Sequence, residues 1–268
     1  MGSVEVQAAL IAAGAAAVFA GSLAPQIVRR VGDGVIRNAI GDDLRSDESA
    51  SGRVDVASLR SEDLVKGAAT RSPGSLRFFK RLFDILTALA LIVFLSPLLI
   101  ATAIAIKLDS KGPVLYRQRR VGLDGREFEI FKFRSMREDA ERGGARWAAA
   151  NDDRITRVGR FIRRTRIDEI PQAINIIKGE MSFVGPRPER PEFVRMLEKE
   201  IPHYHERHIV KPGITGWAQV RHEYTASVEG ARDKLAYDLF YIKHFSPLLD
   251  LLIVLMTVRV AILGIGSR

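Results

Sequence analysis

The stretch FDILTALALIVFLSPLLIATAIAIKLD, residues 83–109, decides the fold. Its inner part, Ile85 to Ile106, runs 22 residues without a charge. As a straight α-helix it would be about 33 Å long, enough to cross a bilayer. Ser96 and Pro97 stand at its middle. Proline there removes one backbone hydrogen bond and costs about 3 kcal/mol in a straight helix, so the segment is predicted to bend. Basic residues flank both ends: Arg77, Lys80 and Arg81 before, Lys107, Lys111, Arg117, Arg119 and Arg120 after. A spanning helix normally carries its positive charge on one side. Symmetric flanks favour a hairpin that enters and leaves by the same face over a proline-kinked span.

Working outward, five regions follow. Residues 1–30 contain Val6 to Pro25, twenty uncharged positions rich in alanine and glycine. They read either as a transmembrane helix or as an Ala-rich packing helix. No basic region precedes them, unlike a cleaved signal, and Arg29 and Arg30 would hold that end in the cytoplasm. Residues 31–75 are rich in Gly, Ser, Asp and Arg and read as a linker, with a short helix near Val54 to Val65. Residues 76–106 are expected to form the re-entrant hairpin, and 107–247 a domain soluble in character. Residues 248–268 are an interfacial amphipathic helix, because Leu248 to Leu263 is apolar except for Asp250 and Arg259. The fold class expected is α/β, mostly helical with a small β-hairpin, and attached to the membrane by the Ser-Pro-broken hairpin and interfacial helices.

Within 107–247, VLYRQRRVGLDGREFEIFKFRSM predicts a β-hairpin turning at Asp124-Gly125. Arg154 to Arg166 and Gln172 to Lys178 predict helices, the second ended by Gly179. Pro191 to Glu200 predicts a proline-started helix. GITGWAQV predicts a short strand, and Ala231 to His244 an amphipathic helix.

The formal charge is +9, with 41 basic against 32 acidic residues, which points to an anionic partner. The absence of cysteine excludes disulfides and thiolate metal sites. No helix-turn-helix, zinc-finger or stacking-aromatic signature supports nucleic acid as that partner.

Two acids stand together in RRTRIDEIPQ, at Asp168 and Glu169. If Asp168 caps a new helix, Pro171 falls at the third helical position, where no intrahelical N–H is required. Both carboxylates would then sit at a helix N-terminus, which favours anions. Taken alone, these residues fit a plain cap with a first-turn acid better than a working pair. Arg154, Arg157, Arg160 and Arg163 recur every three residues, with Arg164 and Arg166 following, and would line one basic face. Arg187 is fixed between Pro186 and Pro188, which suits a guanidinium that forks onto phosphate oxygens. In FKFRSM, Lys132 and Arg134 alternate with Phe131 and Phe133 as a basic strip on an apolar backing.

Three sites look weak. His203, His205 and His208 have a spacing that could bind zinc but no supporting acid pattern. GDGVIRNAIG fails the dinucleotide fingerprint at Arg37. There is no D-x-D, P-loop or G-x-S-x-G.

Taken in order, four motifs resemble the bacterial monotopic phosphoglycosyl transferases. They are KRLFDILTALALIVFLSPLLI, GPVLYRQRRVGLDGREFEIFKFRSM, NDDRITRVGRFIRRTRIDEIPQAINIIKGEMSFVGPRPE and HIVKPGITGWAQV, between about Arg77 and Gly264. The resemblance implies a catalytic dyad at Asp168 and Glu169. The aspartate attacks the β-phosphate of a UDP-sugar, UMP leaves, and a polyprenyl phosphate takes the phosphosugar. It further implies Mg²⁺ held with the help of Glu169, the acceptor phosphate near Pro186, Arg187 and Pro188, and a hairpin break at Ser96 and Pro97. Lys132, Arg134 and Arg166 complete the expected substrate-binding set. Arg166 and Ile167 depart from the commoner Ser-Leu or Lys-Leu. The extended tail favours a UDP-hexose donor, with UDP-N-acetylated sugars open. The expected setting is the bacterial inner membrane with the catalytic domain on the cytoplasmic face, initiating exopolysaccharide or glycoconjugate synthesis on undecaprenyl phosphate. A homodimer contact through residues 1–75 is open, and no nucleic-acid partner is expected. The competing class is a non-catalytic basic membrane-surface scaffold of a polysaccharide export or nucleic-acid-tethering system.

Overall fold

The computed structural model describes residues 72–140, 152–222 and 227–263, together with residues 48, 51–59, 62, 64, 67 and 69. The expected helix within residues 1–30 lies outside these. Two helices open the described run, α1 (Gly74–Phe94) and α2 (Ser96–Asp109), bent by 62° at Leu95. Pro97 has no N–H to give the Val93 carbonyl, and the Ser96 hydroxyl donates to that carbonyl instead at 2.8 Å. The serine thus satisfies the acceptor that the proline orphans. Among the described residues no single helix is long and apolar enough to cross a membrane.

A two-stranded antiparallel hairpin follows, β1 (Leu115–Val121) with β2 (Glu127–Phe133), in register from Leu115↔Phe133 to Val121↔Glu127. Asp124 and Gly125 both take the left-handed backbone that a tight hairpin turn demands. Next come α3 (Arg157–Arg164), a 3₁₀ turn (Ile167–Gln172) and α4 (Ala173–Lys178), ended by Gly179 at φ 88°. Strand β3 (Ser182–Val184) pairs in parallel with β4 (Gly213–Thr215). Between these lie α5 (Pro191–Glu200) and a second 3₁₀ turn (Tyr204–Ile209). The chain closes with α6 (Trp217–Arg221), α7 (Val228–Lys243) and α8 (Pro247–Leu263).

Helix α1 lays Ala88, Leu91 and Ile92 on Ala173, Ile176 and Met181, while its Asp84 accepts from the Ser182 hydroxyl and the Phe183 N–H. Helix α2 packs Ile106 with Phe133, Ile162 and Ile167. The largest core cluster gathers Trp217, Leu239, Phe240, Ile242, Leu249 and Ile253. The outer faces of the bent pair stay apolar and bare: Phe78, Phe79, Phe94, Ile100 and Leu108 are each more than half exposed.

Several expectations are corrected. The helix expected from Arg154 starts at Arg157, because Thr156 caps it and Arg154 turns back to Asp152 at 2.7 Å. Arg154 therefore leaves the basic face. Only the first half of GITGWAQV is strand; Trp217 opens a helix and buries itself in the core. Helix α7 is buried on most of its surface rather than amphipathic, with Leu235, Leu239, Phe240, Tyr241 and Ile242 all enclosed. Asp250 does not mark a wet helix face. It is buried, accepting from Lys80 at 2.6 Å and from the Tyr241 hydroxyl at 2.8 Å. The described part of the expected linker is packed into the core: Val54, Val56, Leu59 and Leu64 are buried there, and Glu48 accepts from Lys243 and pairs with His244.

Candidate active site

The two acids share a buried 3₁₀ turn. Arg166 takes a left-handed conformation at φ 59° and swings the chain out of α3 into it. Asp168 and Glu169 are therefore in the first turn, and Asp168 is not the helix cap expected from the sequence. The turn packs against β2, which brings Lys132 into reach.

Both oxygens of Glu169 accept hydrogen bonds. Its Oε1 accepts from Lys132 Nζ at 2.9 Å and from Arg187 Nη2, and its Oε2 from Arg187 Nη1 at 3.2 Å. Arg166 Nη1 lies 4.0 Å from Oε1. Burial alone would push the Glu169 carboxyl up, but Arg187 and Lys132 outweigh it and hold the group ionised, well below its usual range.

Asp168 is the opposite case. It is 8% exposed, yet none of the described residues hydrogen-bonds its carboxylate. Burial first, and the Glu169 charge second, raise its pKa to about 6, against the pull of Lys132, Arg163 and Arg187. It faces a cavity of about 750 Å³ walled by Tyr116, Gln118, Arg120, Lys132, Arg163, Arg166 and Arg187. One carboxylate is thus fixed by cations and the other left for a ligand.

The Pro186-Arg187-Pro188 loop leaves β3 through Gly185, where an added Cβ would stand 2.4 Å from the Lys211 carbonyl. No side chain fits there, so the strand pair approaches closely enough for Gly213 N–H to donate to Pro186 O at 2.9 Å. Two arginines then grip the loop, one buried and one half-buried. Arg207 donates to the Arg187 carbonyl at 2.9 Å, and Arg120 to the Pro188 carbonyl at 3.1 Å. Arg207 is itself fixed by Asp238 of α7 at 2.7 Å and by the Tyr204 hydroxyl at 3.0 Å. Glu189 is held by Lys234 at 2.6 Å, and Lys234, Arg207 and Arg120 bring its pKa down to about 2 despite burial.

Of the residues expected at the site, Lys132, Arg166, Asp168, Glu169 and Arg187 come together. Arg134 lines the cavity, but its guanidinium donates to the Lys111 carbonyl and to Ser110, so it anchors the α2–β1 loop. Ser96 and Pro97 shape the hairpin. His203 is turned toward Glu206 at 3.7 Å, away from a shared histidine site. Sequence reading missed Arg120, Arg207, Asp238 and Lys234. Only pairing across the fold gives them a role.

Residues 75–264 match the family described as bacterial sugar transferase. The UDP-N-acetylgalactosamine-undecaprenyl-phosphate N-acetylgalactosaminephosphotransferase of Aeromonas hydrophila is 49% identical over 221 residues, 82% of this chain and 52% of that protein. The UDP-glucose:undecaprenyl-phosphate glucose-1-phosphate transferase of Xanthomonas campestris pv. campestris is 48% identical over 189 residues, 69% of this chain and 39% of that one. The transferase of the same name from Escherichia coli K12 is 44% identical over 185 residues, 68% and 40%. The match spans about half the length of the first of these relatives and less of the other two. Since it runs unbroken from the bent helix pair through the acid turn and the Pro-Arg-Pro loop into α8, this chain belongs to the bacterial sugar transferase family.

Proposed function

We propose that the chain transfers a sugar 1-phosphate from a UDP-sugar to undecaprenyl phosphate by way of a phosphosugar held on Asp168. The observation that carries this is the contrast between the two acids. Glu169 is locked in the ionised state by Lys132 and Arg187, while Asp168 faces the cavity with no hydrogen bond from the described residues to its carboxylate. In the first step an Asp168 oxygen bonds to the β-phosphorus, the bond from that phosphorus to the bridging oxygen breaks, and UMP leaves. In the second, a polyprenyl phosphate oxygen attacks the same phosphorus and the Asp168–phosphorus bond breaks, restoring the carboxylate. Splitting the transfer lets a soluble and a lipid substrate use one centre in turn. Arg163, Arg166, Arg187 and Lys132 offset the repulsion between an anionic nucleophile and two anionic substrates.

Mg²⁺ fits the donor set. The site offers hard carboxylate oxygens, those of Asp168 without hydrogen-bond partners and those of ionised Glu169 with lone pairs beyond the ones its cations use. When bound with the substrate diphosphate, such an ion would withdraw charge from the phosphate that departs. Relatives named for glucose and for N-acetylgalactosamine match this chain, so UDP-hexoses are the first donors to try and N-acetylated ones the second.

We place the bent α1–α2 pair in the cytoplasmic leaflet of the inner membrane as a re-entrant hairpin. Its bare apolar faces, its 62° bend and its basic flanks support that reading. The centre would then lie at the depth of the lipid phosphates. Helix α3 adds an exposed Phe161 among Arg157, Arg160 and Arg164, suited to the same boundary. The decisive experiment incubates membranes with labelled UDP-sugar and polyprenyl phosphate. UMP release and a labelled Asp168 peptide are expected, both lost in Asp168→Asn; release undiminished in that variant would refute the nucleophile.

A further inference from the structure

Away from the acid turn, the end of α5 meets the second 3₁₀ turn. His205 and His208 are three residues apart there, and in a 3₁₀ helix positions i and i+3 lie over one another. Their rings stand 5.7 Å apart at 66°. Glu198, in the last turn of α5, brings Oε1 to 3.2 Å from His205 Nδ1. One ligand atom from each of Glu198, His205 and His208 lies within 4.8 Å of the others.

His208 is the unusual member. It is only 5% exposed, and among the described residues neither ring nitrogen makes a hydrogen bond of good geometry. Leaving a buried polar group unsatisfied costs about 1–3 kcal/mol, so such groups normally have a use.

We propose that Glu198, His205 and His208 bind a zinc-class divalent cation. Two imidazoles and one carboxylate are a ligand set this class takes. Tetrahedral ligands at about 2.0–2.1 Å from the ion stand about 3.3 Å apart. The Glu198–His205 edge already has that length, and the wider edges close by turning the side chains of Glu198 and His205, which are 35% and 67% exposed. A solvent-open cavity of about 320 Å³, lined by Asp124, Gly125, Glu127, Glu198 and His205, leaves a fourth position for water. The ion would tie α5 to the turn that carries Arg207, the residue beside His208 that holds the Pro-Arg-Pro loop. It is distinct from Mg²⁺ at the acid turn, which uses oxygen donors alone.

The test uses the full chain, purified in detergent, stripped with chelator and kept in excess Mg²⁺. Zn²⁺ is titrated by calorimetry, and Co²⁺ is added to read the visible band of tetrahedral coordination. One equivalent of Zn²⁺ should bind and raise Tm, and the Co²⁺ band should appear and be displaced by Zn²⁺. His205→Ala and Glu198→Gln change exposed side chains and should fold; each should weaken binding by about tenfold or more. Failure of the wild type to bind a stoichiometric ion, or equal affinity in both variants, would overturn the site.

Discussion

Asp168 meets two opposed demands. As the proposed nucleophile it must be ionised to attack phosphorus, and the buried turn with Glu169 alongside disfavours that, raising its pKa to about 6. Initial rates of UMP release should therefore climb through about pH 6 and level off above it; a rate flat down to about pH 4.5 would contradict the assignment. The stability consequence has a definite sign. An acid whose folded pKa lies above its unfolded value of 3.8 favours the fold only while protonated. The contribution of Asp168 is present below that value and lost as pH rises through about 6. Asp168→Asn removes the cost of burying the charge, so it should melt above the wild type at pH 7.5, with the difference fading near pH 4, as scanning calorimetry can show. Glu169 is the second cause of the raised pKa. The residual activity of Glu169→Gln should consequently switch on at lower pH than that of the wild type. These acids were legible in the sequence because they are adjacent. Their different fates were not, since Lys132 lies 37 residues and Arg187 18 residues away.

At the scale of elements, two joints matter. The first clamps the Pro-Arg-Pro loop to α7 through Arg207 and Asp238, side chains that are 2% and 1% exposed. Removing one partner of a buried pair leaves an uncompensated charge, so Asp238→Ala should lose about 3–5 kcal/mol of stability. Replacing both partners with apolar groups, Arg207→Met with Asp238→Leu, should recover much of that loss in Tm. Transfer activity should stay depressed, because the Arg187 carbonyl has lost its donor. Activity that returns together with Tm would reduce the pair to a structural role. The second joint is the bend at Leu95, whose cause was readable: Ser-Pro inside an uncharged run. What the run could not show is that the serine hydroxyl takes over the carbonyl the proline abandons. The chain has no cysteine, so single cysteines are clean reporters. Gly74 has open space where a side chain would stand, and Lys111 is exposed. In sealed vesicles an impermeant maleimide should label Gly74→Cys and Lys111→Cys from the same side; labelling from opposite sides would make the pair a kinked span.

For the whole molecule, the clearest departure from the sequence reading is the stretch before the helix pair. Its composition is that of a linker, and a charge-rich segment with few large apolar residues normally cannot repay its ordering entropy. Here a handful of apolar residues suffices because the rest of the core leaves them a seat. Leu64 is fully buried, Val54 joins the core while its N–H donates to Ala236 O at 3.2 Å, and Trp217 donates its indole N–H to Gly52 O at 2.7 Å. Periodicity cannot reveal such docking, since each contact is made alone and to residues more than 150 positions away. Glu48, gripped by Lys243 and His244 at the end of α7, ties the segment to the helix that also supplies Asp238. The described residues of the segment therefore pack as part of the same fold, although the family match begins only at residue 75. Leu64→Ala should then behave as a core deletion, costing about 2–5 kcal/mol. Solvent-exposed Arg117→Ala, on the outer edge of the hairpin, is the control and should stay within about 0.5 kcal/mol. Thermal melts of the two variants decide between a docked segment and a tether. An unchanged Tm in Leu64→Ala would return residues 48–69 to linker status and detach them from the stability of the site.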